Sequence, residues 1–231
     1  MPSVIDEEFG HIILRRSAKA SHVRIRVAPD GRLRASLPLY APTFLVKRLI
    51  KTSRSQLRAM LAEQSSEITF EHGMQIGKSH TLLIRQTTAT KPNVARHGQQ
   101  IIASLPPEST TSDSDVVRSI RDAVIEALRI EAKSYLPKRL AYLAQQGDFT
   151  YSKVRFSHAS GRWGSCSSNG TISLNIALMK LPFELIDYVL IHELSHTVHM
   201  NHSQEFWSVV EQIDPHYKAH RRDLKKESPS I

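Results

Sequence analysis

Apolar and polar residues alternate over residues 11–39, with the period of β-strands that bury one face. The alternation is regular over residues 22–27 and resumes over residues 33–37. Between these two runs, Pro29-Asp30-Gly31 is typical of a tight turn. The pattern therefore predicts a β-rich region at the N-terminal end of the chain.

Apolar residues at helical spacing follow these strands. One helix is predicted to begin after Pro42 and to continue through Leu61, and another covers residues 116–130. Proline has no amide hydrogen and clashes with the preceding turn, so Pro137 is expected to bend or end the second helix. The remaining segments are strands around residues 75–84, 99–103, 154–158 and 171–175, a polar stretch at 86–98 with no assigned role, and helical residues 142–147.

Residues 106–114 are rich in Pro, Ser, Thr and Asp, a composition typical of a linker. They separate a β-rich, basic region at residues 1–105 from a C-terminal region at residues 115–231. Pro182 is predicted to open the last long helix, a mostly apolar one over residues 185–198. Strands and helices in both regions predict an α+β fold.

Composition excludes several classes of protein. Of the 231 residues, 40% are hydrophobic and 23% are charged, as in ordinary globular proteins. The single cysteine, Cys166, excludes an intrachain disulfide. No stretch approaches the roughly 20 apolar residues that span a bilayer, and the N-terminus carries acids where a secretory signal carries bases. We expect a cytoplasmic protein with no membrane contact.

Positive charge is concentrated near the N-terminus. The segment from Arg15 to Arg58 holds twelve Lys or Arg residues and one acid, Asp30, whereas the whole chain has a net charge of +9. Such a segment can bind nucleic-acid phosphates, because neutralising them releases counterions. Solvated outer faces of strands and helices are the simpler interpretation, since no set of stacking aromatic residues is interleaved with the charges.

The apolar C-terminal helix carries His192-Glu193-Leu194-Ser195-His196, an HExxH motif. Histidines four residues apart lie on one helix face, so both imidazoles can reach one metal ion. Glu193 lies about 100° around the helix, close enough to act on a metal-activated water without binding the metal. Two solvent-facing histidines are the simpler interpretation, but the apolar surroundings favour a metal site.

A zinc ion that activates water needs a third protein ligand and an open fourth position. His202 is the first candidate, because the helix can end at Met200-Asn201 and let the chain fold back. His199 shares the helix face, but it lies about 10.5 Å along the axis from the first histidine of the motif. Glu205 and Glu211 are further alternatives.

These residues and their neighbours resemble a known family. The HExxH motif, Asn201-His202-Ser203, Phe206-Trp207 and the upstream Arg162-Trp163-Gly164-Ser165-Cys166 are similar to the YgjP-type metallopeptidases, and the similarity extends into the N-terminal strands. The resemblance implies a zincin-like catalytic half, made of the HExxH helix and a small sheet and related to SprT- and WLM-type proteases. It also implies His192, His196 and His202 as metal ligands and Glu193 as catalytic base.

Hydrolysis of peptide bonds in a peptide or protein substrate, dependent on Zn²⁺, is the predicted function. Glu193 is expected to take a proton from the attacking water as general base and to pass it to the leaving amine. Arg162, Trp163 and Gly164 are expected to bind substrate at the edge of the cleft, where a peptide can lie as an added strand. A packing turn is the simpler interpretation of these three residues.

Three other functions stay open. One is an amidase or other metal-dependent hydrolase that acts on a small substrate. The others are a nucleic-acid-associated module with a structural zinc, and a SprT-like protease that acts on DNA-bound proteins held through the basic segment. Several residues also keep two interpretations. Cys166 is either a fourth metal ligand or a small buried side chain. Phe206-Trp207 is interpreted as a core pair that follows a helix cap at Ser203. His216, Tyr217 and His220 are candidates to stabilise the oxyanion or are part of a solvated basic helix.

Overall fold

The computed structural model describes residues 2–28, 32–65 and 69–231. The predicted turn Pro29-Asp30-Gly31 lies outside the described residues. The chain divides into two compact units, Met1–Thr69 and Phe70–Ile231. Each unit contains both helices and strands, which confirms the predicted α+β class. Among the described helices, none is long and apolar enough to cross a lipid bilayer.

The first unit is a four-stranded sheet with two helices. Its strands are β1 (Ser3–Asp6), β2 (Gly10–Arg16), β3 (Arg24–Val27) and β4 (Leu33–Leu37), and its helices are α1 (Phe44–Thr52) and α2 (Arg54–Ser65). The strand order is β1-β2-β4-β3, with β2 and β4 parallel. One face of the sheet and the helices form the core from Val4, Ile12, Leu14, Leu33, Ala35, Leu37, Val46, Ile50 and Leu57.

Two helices replace the single helix predicted for this unit. The break falls at Ser53, whose φ of −117° leaves the helical range. Immediately after it, Arg54 of α2 forms ion pairs with Asp6 and Glu8, and Arg58 forms one with Glu8. These ion pairs hold α2 against the turn between β1 and β2, and they engage two of the basic residues counted in the sequence.

The second unit is built around α3 (Ser114–Gln146), a helix of 33 residues. Two small sheets, a 3-10 helix and α4 pack against α3. One sheet contains β5 (Gln75–Ile76), β6 (His80–Gln86), β7 (Asn93–His97) and β8 (Gln100–Leu105) in the order β5-β6-β8-β7. The other contains β9 (Lys153–Ser157), β10 (Gly164–Cys166) and β11 (Thr171–Asn175) in the order β10-β11-β9. The 3-10 helix (Ile176–Lys180), α4 (Phe183–Ser195), α5 (Gln204–Ile213) and α6 (Tyr217–Leu224) complete the unit.

Several predicted boundaries differ from the structure. Pro137 lies inside α3 without ending it, because its neighbours Leu136 and Leu140 are completely buried and their packing outweighs a helix defect of about 3 kcal/mol. The polar stretch at residues 86–98 contains β7. Helix α4 ends at Ser195, three residues before the predicted end, and Pro182 precedes its first residue.

The two four-stranded sheets share one topology and one register. Each has an antiparallel hairpin, a parallel central pair and an antiparallel edge strand. Ala35-Ser36-Leu37 pairs with residues 14–16 in the first sheet, and Ala103-Ser104-Leu105 pairs with residues 84–86 in the second. Proline follows Leu in both segments. The fold therefore contains an internal repeat of four strands, once in each unit.

The division into compact units falls earlier than the predicted linker at residues 106–114. Strands β5 to β8 precede that segment, yet they pack against α3, which follows it. A buried carboxylate fastens this contact, because Glu131 of α3 accepts hydrogen bonds from the backbone amides of Lys78, Ser79 and His80 at 2.6, 2.9 and 3.2 Å. Independent folding of the two regions flanking 106–114 stays a prediction.

Candidate metal centre

Helix α4 carries the HExxH motif at its C-terminal end. The turn before the motif is apolar and buried, with Tyr188, Leu190 and Ile191 each at most 4% exposed. Ser195 is the last helical residue, and His196 caps the helix. Because the helix stops here, the chain can reverse direction before α5 begins and return His202 to the end of α4.

The three predicted ligands meet at this point. The potential ligand atoms of His192, His196 and His202 all lie within 4.8 Å of one another, and the Nε2 atoms of His192 and His202 are 3.1 Å apart. Nitrogen ligands about 2.0–2.1 Å from a tetrahedral zinc ion are about 3.3 Å apart, so the cluster fits such an ion. Within the described residues, this cluster includes none of the other candidates, His199, Glu205, Glu211 and Cys166.

A backbone carbonyl orients the second histidine. Nδ1 of His196 lies 3.1 Å from the carbonyl oxygen of His199, an acceptor that requires a proton on Nδ1. The unprotonated Nε2 is then free to bind a metal, which is the usual arrangement around a metal-binding histidine. His199, the competing ligand in the sequence, therefore contributes its backbone oxygen instead of its ring.

The electrostatic environment favours the neutral imidazole in His192 and His202. Burial lowers the pKa of His192 to about 3, with smaller contributions from His196, His202 and Arg221. Partial desolvation, His196 and Arg221 also lower the pKa of His202. A histidine must be unprotonated to bind a metal, so both rings are in the binding form at neutral pH.

Glu193 lies next to the cluster and is 5% exposed. Its Oε2 atom is buried and accepts no hydrogen bond from any described residue. Burial raises the pKa of Glu193 to about 8, and the positive charge of Arg162 opposes that rise. Glu193 directly follows His192 on α4, and its unused acceptor atom can take up a proton. A nearby divalent cation lowers the pKa of such a group.

Strand β10 borders the carboxylate. A Cβ atom built on Gly164 would lie 2.5 Å from Oε1 of Glu193, so any larger residue would force the carboxylate to shift. The preceding residues Arg162 and Trp163 are exposed and half-buried, and β10 is the edge strand of its sheet. Burial and Glu193 raise the pKa of Cys166, which favours the thiol and the interpretation of this residue as a small, partly buried side chain.

A buried asparagine holds the loop before β10, and the sequence analysis missed it. The Asn175 side chain is completely buried and donates hydrogen bonds to the carbonyl oxygens of Ala159 and Arg162 at 2.6 and 2.9 Å. Its backbone amide donates to the carbonyl of Trp163 at 2.9 Å. Asn175 thereby fixes the segment that leads to Gly164. The signal in the sequence was an uncharged polar residue just before the apolar Ile-Ala-Leu-Met run.

Aromatic residues of α5 pack against the histidines. Phe206 is completely buried, and its ring centroid lies 5.0, 4.6 and 4.8 Å from those of His192, His196 and His202. Trp207 stacks on His202. Phe206 and Trp207, which were interpreted as a core pair, therefore pack against the three histidines. Ser203 occupies the predicted cap position of α5, although its side chain makes no capping hydrogen bond.

The three oxyanion candidates lie at or near α6. Tyr217 is 7% exposed and stacks on Trp207, and Nδ1 of His220 lies 2.8 Å from a carboxylate oxygen of Asp214. His216 precedes the helix as its N-terminal cap residue. The oxyanion role stays a prediction for all three residues.

The sequence comparisons agree with this geometry. The YgjP-like metallopeptidase domain matches residues 21–227. The chain belongs to this family. It is therefore a metallopeptidase that uses a divalent metal, and both the predicted family resemblance and the zincin-like α+β class are confirmed.

A solved structure is similar to part of the chain. It is the crystal structure of the metallopeptidase zymogen of Pyrococcus abyssi abylysin, with 29% sequence identity and a TM-score of 0.36. The similarity covers 39% of the present chain and 92% of abylysin. No curated protein matches the chain.

Proposed function

We propose that this YgjP-like protein is a zinc-dependent peptidase whose metal ligands are His192, His196 and His202. The observation that carries the proposal is the convergence of three imidazoles, with all ligand atoms within 4.8 Å, beside the buried Glu193. Three nitrogen ligands suit zinc and leave one position open. A bound zinc ion would supply Lewis-acid activation of water and of the scissile carbonyl group.

Glu193 acts as the general base in this proposal. Its Oε2 atom, which accepts no hydrogen bond from the described residues, takes a proton from the attacking water. The same carboxyl group then gives that proton to the nitrogen of the leaving amine. Gly164 leaves the carboxylate enough space to approach both partners, because a larger residue would overlap it.

The edge strand β10 is the proposed binding place for substrate. Its partner β11 pairs with one side of β10, and among the described strands no other pairs with its second side. An extended peptide can form backbone hydrogen bonds with such an edge. Arg162, Trp163 and Gly164 would then contact the peptide next to Glu193, as the sequence analysis predicted.

Two substitutions test the mechanism. Glu193→Gln should abolish casein hydrolysis while the zinc content stays near one per chain, because the ligands are intact. His196→Ala should lose activity and zinc together. Glu108→Gln is the control, because Glu108 is exposed and is not one of the proposed site residues. Its casein hydrolysis and zinc content should equal those of the wild type. Hydrolysis retained in Glu193→Gln would falsify the assignment of the base.

A structural zinc in a nucleic-acid-associated module predicts a different result. A closed structural site excludes inhibitors that bind the metal, whereas His202 is exposed in this cluster. We expect a hydroxamate inhibitor and a chelator each to stop casein turnover. One tightly bound zinc per chain without any hydrolysis, and without hydroxamate binding, is the outcome that favours the structural role.

A second function, binding of nucleic acid, is favoured by one surface of the first unit. The basic sheet face consists of Arg15 on β2, Arg24 and Arg26 on β3, and Arg34 on β4, all exposed. Arg26 and Arg34 are direct partners across the antiparallel pair, so their side chains lie on the same face of the sheet. A phosphate backbone is the complementary partner for a face of this charge. Charge complementarity therefore supports the predicted DNA-linked protease as a variant of the peptidase.

Salt dependence tests this surface. Binding of a fluorescein-labelled oligonucleotide should weaken steeply with salt, with a slope near one for each phosphate neutralised. Arg24→Glu/Arg26→Glu should flatten the slope, whereas Lys218→Glu/Lys225→Glu, with the same change in charge, should not. No binding at low ionic strength would leave a peptidase without a nucleic-acid partner. The cytoplasmic location stays a prediction.

A further inference from the structure

His202 is the least restrained of the three proposed ligands. It is exposed and lies in the segment between α4 and α5, whereas His192 and His196 are half-buried residues of α4 and its cap. His196 is oriented by a backbone carbonyl. In the described part of the chain, by contrast, the one hydrogen-bond contact of His202 is with another ligand, Nε2 of His192. Something other than a hydrogen bond must orient its ring.

Trp207 supplies a flat surface against that ring. The Trp207 and His202 rings are stacked, with an angle of 26° between their planes and 5.6 Å between their centroids. Trp207 lies in the first turn of α5, a regular helix of 10 residues. The stacking partner is therefore attached to a rigid element, while the ligand is not.

Helix α6 in turn packs against Trp207. The Tyr217 ring is nearly parallel to Trp207, at 16° and 5.3 Å, and the guanidinium carbon of Arg221 lies 4.6 Å from the Trp207 ring centroid. Tyr217 and Arg221 are four residues apart, so they share one face of α6. A continuous stack thus runs from α6 through Trp207 to His202.

We propose that Trp207 is a positioning residue that orients His202 for metal binding, with Tyr217 and Arg221 of α6 holding Trp207 in place. Histidine ligands usually donate a hydrogen bond that fixes the plane of the ring, and here a stacked ring performs that task. In this proposal Trp207 acts through the His202 ring and is not itself a metal ligand. The inference rests on the proposed metal centre and adds the means by which its exposed ligand is held.

The consequence is a specific loss of metal affinity. Loss of a group that orients a ligand weakens metal binding by about 10- to 100-fold. Trp207→Leu removes the flat surface and should raise the zinc dissociation constant by that factor, whereas Trp207→Phe retains a ring and should raise it less. Val210→Ala is the matched control, because Val210 is a completely buried residue one turn further along α5. It should lower the melting temperature without changing zinc affinity.

The dissociation constants are to be measured on the full chain by competition with a chromophoric chelator. The wild type is measured first, since failure to bind zinc would contradict the proposed function itself. If the wild type binds zinc and Trp207→Leu binds it equally well, the positioning role is wrong while the metal centre stands. Melting curves of the metal-free variants show whether each one is folded.

A double-mutant cycle separates positioning from general packing. If Trp207 acts through His202, Trp207→Leu should have little effect on zinc affinity in a His202→Ala background, where the oriented ring is already gone. The two single substitutions should therefore be strongly non-additive. An equal loss of affinity in both backgrounds would show that Trp207 supports α5 as a whole, and would overturn the proposal.

Discussion

Gly164 leaves no room for a side chain beside the Glu193 carboxylate where it now lies. A Cβ at residue 164 would lie 2.5–2.8 Å from three atoms of the Glu193 side chain, so Gly164→Ala should displace the carboxylate. Misplacement of a catalytic group by about 1 Å can reduce the rate about 100-fold. We expect a loss in kcat of that order with the zinc content unchanged. Gly161→Ala is the control, since nothing lies within 4 Å of a Cβ built there.

A local motif was enough to predict which histidines lie together. The HExxH spacing put His192 and His196 on one helix face, and His202 was a candidate because the helix could end before it; their role as metal ligands stays a prediction. Trp207 and Asn175 were not recognised. Their roles depend on a stacking partner and on carbonyl groups from other segments, and the local sequence around each residue resembles ordinary core or strand-end sequence.

At the scale of secondary-structure elements, Glu131 of α3 accepts hydrogen bonds from the turn between β5 and β6. Burial opposes the charged form of this side chain, but hydrogen bonds from His80, Lys78 and Ser79 hold the pKa of the carboxyl group below its usual value. Such a group stabilises the fold above its ordinary pKa, near 4.5, and this stability is lost as the pH falls through the lowered value.

The Glu131 interaction predicts a pH dependence of unfolding. Glu131→Gln should lower the free energy of unfolding at pH 7 by about 1.5–3 kcal/mol, because hydrogen bonds to a charged acceptor are lost. The difference between the variant and the wild type should shrink as the pH falls below the ordinary pKa of a glutamate, near 4.5. Denaturant unfolding between pH 3 and pH 7 measures both effects. Glu126→Gln, an exposed position on α3, should follow the wild type at every pH.

Asn175, the last residue of β11, holds the loop between β9 and β10. Asn175→Ala leaves the carbonyl groups of Ala159 and Arg162 without their donor, at a cost of about 1–3 kcal/mol. We expect faster amide hydrogen exchange in residues 159–163 and a lower kcat, because these residues lead to Gly164. Unchanged exchange in this loop would contradict the anchoring role, whatever the change in stability.

Regular spacing of apolar residues predicted where helices and strands occur, and tertiary packing determined at which residues they begin and end. The alternation at residues 33–37 and the helical spacing from residue 116 correspond to β4 and α3. Pro137 does not end α3, because its local cost is smaller than the packing energy of the buried residues around it. Strand β7 was missed because it is a polar edge strand whose residues are exposed or half-buried, so no apolar run marks it.

At the scale of the whole molecule, the repeated four-stranded sheet was not visible in the sequence. Its two copies share Ala-Ser-Leu-Pro at residues 35–38 and 103–106, but most other equivalent positions differ. The common feature is structural. The parallel pair β2–β4 and the parallel pair β6–β8 end in the same register. Just beyond these pairs, the amide of Ser17 donates a hydrogen bond to the carbonyl of Leu37, and the amide of Thr87 donates one to the carbonyl of Leu105. A sheet register depends on burial patterns, which many sequences satisfy.

The packing of β5 to β8 on α3 yields a prediction about how the chain can be divided. A fragment of residues 70–231 keeps Glu131 with its donors and should melt cooperatively and bind zinc. A fragment of residues 115–231 begins after the predicted linker and leaves Glu131 and the apolar face of α3 without β7 and β8. An unpaired carboxylate and exposed apolar surface both destabilise a fold. We therefore expect the shorter fragment to show no cooperative transition by circular dichroism. If it melts cooperatively and binds zinc with the affinity of the full chain, residues 106–114 are a true domain boundary and the contact with α3 is dispensable.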